Sequence, residues 1–257
     1  MSGEGPITRL YPPAPSDSDD GLSDRDLLSL YARHDRSTPW VRANFVASVD
    51  GSATAKGVSG SLGGPADRRV FDVLRQLCDV ILVASGTVRA EGYAGPLVSA
   101  EAGAWRVSHD LASHPAVAVV SGSLSLDPAS AFFAEAPVRP LVLTCDSADS
   151  ERRRALEAVA DVVSCGTAEV DPLRVVAALV ERGLTQIHCE GGPTLLGSLI
   201  AADVLDALCL TVSPALEGGS GPRIAYHCGD PVDLRAMTLD HVLLAGNMLL
   251  TAYSRSR

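Results

Sequence analysis

The chain has 257 residues, 46% of them hydrophobic, and a formal charge of −10 at pH 7, enough apolar material for one large core and the wrong sign for a nucleic-acid surface. No apolar run approaches the roughly 18 residues of a membrane span, and the N-terminus has no basic, apolar and small-residue signal pattern, so the expected location is cytoplasmic, with no membrane partner. The six cysteines, Cys78, Cys145, Cys165, Cys189, Cys209 and Cys228, show neither paired nor metal-ligand spacing, which argues against disulfides and structural zinc. The basic residues are 20 arginines and a single lysine, so an anionic ligand must be held by local arginines and helix termini rather than by the overall field.

Residues 1–38 read as an N-terminal extension, and 39–257 as one domain. The first 21 residues carry Pro, Ser, Gly and Asp with few apolar anchors and are expected to be disordered or draped over the surface. Ser23, with Asp24 and Asp26 behind it and Leu27, Leu28, Leu30 and Tyr31 following, predicts a capped amphipathic helix of about ten residues. Residues 41–48 are strand-like and end at the Asp50-Gly51 turn. A glycine-rich loop, 57–64, has the length of a ligand-contacting segment. Pro65-Ala66-Asp67 then opens a helix carrying Val70, Phe71, Val73, Leu74 and Leu77, with Arg68, Arg69 and Arg75 on its polar face.

The run 80–84 has the unbroken apolar character of a parallel strand buried on both faces, and Ser85-Gly86-Thr87 turns it into a short helix near 88–91. Further strands are expected at 117–120, 141–144 and 162–165, alternating with helices near 149–159 and 171–182. This is βαβ rhythm. The end of the chain adds a strand at 208–212 and two runs, 236–244 and 247–253, flanking Ala245-Gly246-Asn247 as a closing hairpin. The expected fold is therefore three-layer α/β, with a mixed, mainly parallel central sheet and a C-terminal antiparallel hairpin.

The stretch 187–196 concentrates the chemistry. A buried strand runs into Glu190-Gly191-Gly192 and then Pro193-Thr194-Leu195, a glycine turn opening on a helix whose first-turn amides suit a pyrophosphate. Glu190 stands at the strand's carboxyl end, where open α/β sheets place their ligands. No Gly-x-Gly-x-x-Gly follows the first strand and no Gly-Lys-Ser/Thr exists. The six histidines, at 34, 109, 114, 188, 227 and 241, lack paired ligand spacing, so no metal is expected. What remains is a set of strand-end groups, Asp50-Gly51, Gly86-Thr87, Ser121-Gly122 and Glu190-Gly191-Gly192, suited to a nucleotide beside an organic substrate. Asp50 and Glu190 are the candidate catalytic carboxylates.

Taken in order, these pieces resemble the reductase domain of the riboflavin-biosynthesis deaminase/reductase family. They are Ala47-Ser48-Val49-Asp50-Gly51, the loop from Gly57 to Ser61, Arg68-Arg69 with Arg75, Gly86-Thr87-Val88, Glu190 through Leu195, and Ser213-Pro214 with Gly218-Gly219. The resemblance covers about residues 39–253 and implies a dihydrofolate-reductase-like fold, NADPH as cofactor and a homodimer. It also implies reduction of a ribosylaminopyrimidine 5′-phosphate to its ribitylamino form, by a stand-alone reductase. Carried over by position, Ala47, Thr87, Glu91 and Ser121 would contact NADPH, together with Gly191, Gly192, Pro193, Thr194 and Leu195. Ser59, Arg75 and Glu190 would face the substrate, with Arg75 on its 5′-phosphate and Gly95 nearby. Ser61-Leu62 stands where many members have an aromatic residue, Glu91 where they have Asp, and Val98 near the place of an Arg. Two rivals share the fold: reduction of dihydrofolate, whose amino-pyrimidine edge a carboxylate could hold, and nucleotide binding without turnover.

Overall fold

The computed structural model of the chain describes residues 5–13, 21–229 and 232–255. Residues 1–4 and 14–20, most of the segment expected to be disordered or draped, lie outside that description. The N-terminal extension supplies β1 (Thr8–Tyr11) and α1 (Asp24–Tyr31). Ser23 caps α1 as expected: its hydroxyl accepts from the Asp26 amide while the Asp26 carboxylate accepts from the Ser23 amide, a reciprocal arrangement that satisfies two otherwise free donors.

The body continues with β2 (Trp40–Ser48), α2 (Pro65–Leu77), β3 (Val80–Ala84) and α3 (Ser85–Glu91). Next come α4 (Ala100–Ser108), β4 (Ala116–Val120), α5 (Ala131–Ala134), β5 (Leu141–Thr144), α6 (Ser150–Glu157) and β6 (Asp161–Ser164). The chain closes with α7 (Pro172–Val180), β7 (Gln186–Cys189), α8 (Pro193–Ala201), β8 (Ala207–Ser213), β9 (Thr238–Ala245) and β10 (Met248–Ser254).

The ten strands among the described residues form one sheet in the order β1-β9-β10-β8-β2-β7-β3-β4-β5-β6. From β8 to β6 every neighbouring pair is parallel, and β10, β9 and β1 extend the other side antiparallel. The expected mixed sheet and closing hairpin are present. Helices cover both faces because parallel strands, apolar on both sides, need cover on both. Val80, Leu82, Ile187 and Cys189 pack under α7 and α8, whereas Ile81 and Val83 face the opposite layer with Val88, Phe132 and Leu156. Helix α2 and the extension cover that second face further along, through Leu27, Tyr31, Val70, Leu74, Leu243 and Leu250.

Three elements were not expected from the sequence: β1, α4 and α5. Helix α4 is held by Arg106, only 1% exposed, whose guanidinium donates to the carbonyls of Cys78 at 2.6 Å, Gln76 at 2.9 Å and Ala112 at 2.7 Å. The arginine thereby satisfies carbonyls that the end of α2 leaves without intrahelical partners.

Candidate active site

A crevice of about 470 Å³ opens at the carboxyl ends of β2 and β7, bounded by α2, α3, the glycine-rich loop and the turn into α8. This is the size of a small-molecule site, at the sheet edge where α/β folds bind ligands. It brings together Ser59, Arg75, Thr87, Glu91, Glu190, Gly191, Gly192 and Pro193 from the expected set.

The floor is a buried polar network around Glu190, whose side chain is 1% exposed. Arg75 donates to both carboxylate oxygens, Nε to Oε1 at 2.6 Å and an Nη to Oε2 at 2.8 Å. The Tyr93 hydroxyl donates to Oε2 at 2.8 Å, and His188 Nε2 lies 3.6 Å from Oε1. The geometry follows from two periodicities. Alternation along the strand puts His188 and Glu190 on one face of the sheet, and helical spacing puts Arg68, Phe71 and Arg75 on one stripe of α2. Burial alone would lower the pKa of Arg75, but its contact with Glu190 outweighs that and raises it. Burial, reinforced by the Glu190 charge, drives the Tyr93 pKa well up, so Tyr93 keeps its proton and donates. Burial pushes His188 down to about 4, so the ring is neutral at physiological pH.

Arg75 therefore is not the free phosphate partner that was expected. Its guanidinium is bidentate to Glu190, with a side chain only 11% exposed, and it stacks 4.2 Å from the Phe71 ring. Arg68, two stripe positions earlier and exposed, lines the same crevice and has no ion-pair partner among the described residues. Asp67 lines the wall beside it, and burial raises its pKa against the opposing hydrogen bond from Thr211.

The glycine turn has the shape of a cradle. Gly191 has φ +109°, and a Cβ there would stand 3.3 Å from a Phe45 ring carbon, while one on Gly192 would stand 3.0 Å from Thr87 Oγ1. Only glycines leave that surface open to a ligand. Pro193 takes the first helical position, and Gly192 provides no side-chain cap, so the first-turn amides of α8 are available to an anion. The residues present thus fit a nucleotide pyrophosphate. Across the crevice, Glu91 accepts from the Ser59 amide at 3.0 Å and its hydroxyl at 2.9 Å, tying the glycine-rich loop to α3.

Other expected residues stand outside the lining. Ala47 and Leu195 are buried, the latter in the main core, and Thr194 is exposed on α8. Ser121 follows β4, and its buried hydroxyl has no hydrogen-bond partner among the described residues. Gly95 borders a separate small pocket with His114, Phe132 and Pro137. Asp50, expected to be catalytic, faces away: its carboxylate accepts from Ser48 Oγ at 2.5 Å and from the amides of Glu217 at 3.1 Å and Gly218 at 2.8 Å. Those bonds, the Ser48 one first, hold its pKa down to about 2, and the residue fastens a loop. Sequence reasoning did not assign Asn44, Phe71 or Tyr93 to the crevice. Phe71 was reachable, because it precedes Arg75 by one helical turn; Tyr93 sits in a loop with no periodic signal.

Fold and crevice together define an α/β protein with a crevice of small-molecule size beside a helix terminus open to an anion. Residues 39–250 match the family model described as the RibD C-terminal domain, and the chain belongs to that family. It is 29% identical over 182 residues to the 2,5-diamino-6-ribosylamino-4(3H)-pyrimidinone 5′-phosphate reductase of Archaeoglobus fulgidus, covering 70% of this chain and 83% of the relative. It is 30% identical over 186 residues to the protein of the same name from Methanothermobacter thermautotrophicus, covering 72% and 82%. Among solved structures, a pyrimidine reductase-like protein from Corynebacterium diphtheriae superposes with a TM-score of 0.81 at 26% identity, covering 92% of this chain and all of that one.

Proposed function

We propose that the chain is an oxidoreductase that uses NADPH to reduce a ribosylaminopyrimidine 5′-phosphate, such as 5-amino-6-ribosylaminouracil 5′-phosphate, to its ribitylamino form in riboflavin biosynthesis. The observation that carries this reading is the Glu190–Arg75–Tyr93 network on the floor of a crevice rimmed by the Gly191-Gly192-Pro193 turn. The names of the archaeal relatives support the same chemistry.

When bound, the cofactor supplies the hydride; the protein orients the partners and excludes water, which contributes several kcal/mol of barrier lowering. The amides of Thr194 and Leu195 and the side chain of Thr87 would hold NADPH, with Ala47, Glu91 and Ser121 carried over from the family. Ser59 and Glu190 would face the sugar. Because Glu190 already engages Arg75, the 5′-phosphate falls to Arg68, whose exposed guanidinium can form charge-assisted bonds. A homodimer remains part of the proposal, tested by light scattering in solution.

A second reading, reduction of dihydrofolate, is favoured by one observation. The two groups expected to separate a sugar phosphate from a pterin, Arg75 and Ser59, are both engaged within the protein, while the Asp67 carboxylate suits the amino-pyrimidine edge that both substrates share. One assay decides: loss of reduced-nicotinamide absorbance on mixing NADPH with each substrate. Turnover of the ribosylaminopyrimidine phosphate alone supports the proposal, turnover of dihydrofolate alone replaces it, and turnover of neither leaves nucleotide binding. Arg68→Gln should raise KM for the phosphorylated substrate by about tenfold.

A further inference from the structure

On the same face of the sheet, behind the crevice, a cavity of about 20 Å³ is lined by Arg33, Arg36, Trp40, Arg42, Leu77 and His188. Its charge is unbalanced. Arg36 pairs with Asp79, but Arg33 and Arg42 have no carboxylate within ion-pair distance among the described residues. Arg42 gives one nitrogen to the Tyr31 carbonyl at 2.7 Å, and the Arg33 guanidinium lies 3.7 Å from the centre of the Trp40 ring. Four buried nitrogens on this lining have no hydrogen-bond partner among the described residues: Arg33 Nε, Trp40 Nε1 and both ring nitrogens of His188, one of which is a donor in the neutral ring. His188 is 2% exposed.

We propose that this cavity is a binding site for a small inorganic anion of chloride size, held by the guanidinium groups of Arg33 and Arg42 and the indole N–H of Trp40. Buried donors need acceptors, and two half-buried guanidinium groups with no carboxylate partner among the described residues favour a counter-charge beside them; one small anion meets both needs. The volume admits an occupant of that size, since a single water requires on the order of 10–15 Å³. A sugar phosphate or nucleotide is too large. A water could accept from the donors but would leave both guanidinium charges unbalanced. The site is separate from the crevice. His188 forms the wall between them, its Nε2 lying 3.6 Å from Glu190 Oε1, and Arg42 adds to the burial that keeps that ring neutral.

The test is chloride NMR on the full chain at constant ionic strength, with gluconate as the balancing anion. The expected result is saturable excess broadening of the chloride resonance, displaced by bromide and reduced at least tenfold in both Arg33→Gln and Arg42→Gln, but retained in Arg68→Gln. Arg33 is partly exposed and bonded to no carboxylate, so Arg33→Gln reads the site even if Arg42→Gln fails to fold, as circular dichroism will show. Three outcomes overturn the proposal. Absence of saturable broadening means the cavity holds water alone, persistence in folded Arg33→Gln removes these residues from the site, and loss in Arg68→Gln assigns the anion to the crevice. Because neither NADPH nor a pyrimidine is present, failure here is distinct from failure of the reductase proposal.

Discussion

Strands β2 and β7 lie side by side, and each runs into an acidic residue followed by a glycine of positive φ: Asp50-Gly51 at +93° and Glu190-Gly191 at +109°. As sequence the two junctions look alike. As structure they differ in what meets the carboxylate. Glu190 is buried under α2, where a guanidinium and a phenol reach it from other elements; Asp50 is exposed and bonded to a neighbouring hydroxyl and the amides of one loop. A Cβ on Gly191 would press on the Phe45 ring, whereas one on Gly51 would meet nothing within 4 Å. An acid–glycine pair after a strand thus marks a turn, and it marks a site only where the fold brings a second layer over it.

The contrast can be broken by substitution, beginning with the largest expected effect. Arg75→Met leaves the Glu190 carboxylate buried without its counter-charge and should lower stability by about 3–5 kcal/mol in urea unfolding. Glu190→Gln keeps the shape and should reduce kcat by about two decades while NADPH still binds. A stable Arg75→Met variant would erase the distinction between the two junctions.

Acid titration sharpens it further. The folded pKa of His188 is about 4 against 6.5 for the ordinary side chain, so between those values the unfolded chain binds the extra proton. Stability present in full above about pH 6.5 should fall as pH drops towards 4, by roughly 3 kcal/mol from this residue. His241, likewise near 4, acts with the same sign. His188→Gln should flatten its share of the slope in unfolding measured against pH. Asp50 acts with the same sign in a lower window: with its pKa lowered from 3.8 to about 2, its contribution is present in full above the ordinary value and is lost as pH falls through 2.

The glycines come next. Gly191→Ala places a Cβ at positive φ against Phe45 and should cost about 1–2 kcal/mol and weaken NADPH binding in a fluorescence titration. Gly51→Ala meets open space and should leave cofactor affinity unchanged. The smallest effect belongs to Asp50→Asn, which should leave kcat as it is and loosen residues 215–221, read as faster proteolysis of that loop.

How much of this was legible in the sequence depended on range. The apolar runs of β3 and β4, the Pro65 and Pro193 helix starts, the Ser23 cap and the closing hairpin are local signals and stood where the pattern put them. The Glu190 junction was legible as a ligand-binding turn because strand, glycine pair and proline are contiguous. The partnership of Arg75 with Glu190 was not, because it joins groups 115 positions apart and depends on how α2 is laid over β7. Asp50 shows the same limit from the other side: its partners sit 167 and 168 positions on. Helix α4 was hidden because its anchor is a buried arginine, a residue type that pattern reading assigns to the surface.

The short strand β1 bears on solubility. It pairs antiparallel with β9 through Thr8, Arg9 and Tyr11, the chain folds back so that the Leu22 amide donates to the Ile7 carbonyl at 2.7 Å, and Ile7 is 1% exposed. A chain trimmed before Leu22 would leave β9 paired only with β10, its outer backbone donors and acceptors around residues 242–244 open, along a strand carrying Leu239, Val242, Leu243 and Leu244. Such an open ladder is a template for edge-to-edge self-association. The N-terminal residues, remote from the crevice, act as the seal that keeps one copy of the sheet from recruiting another.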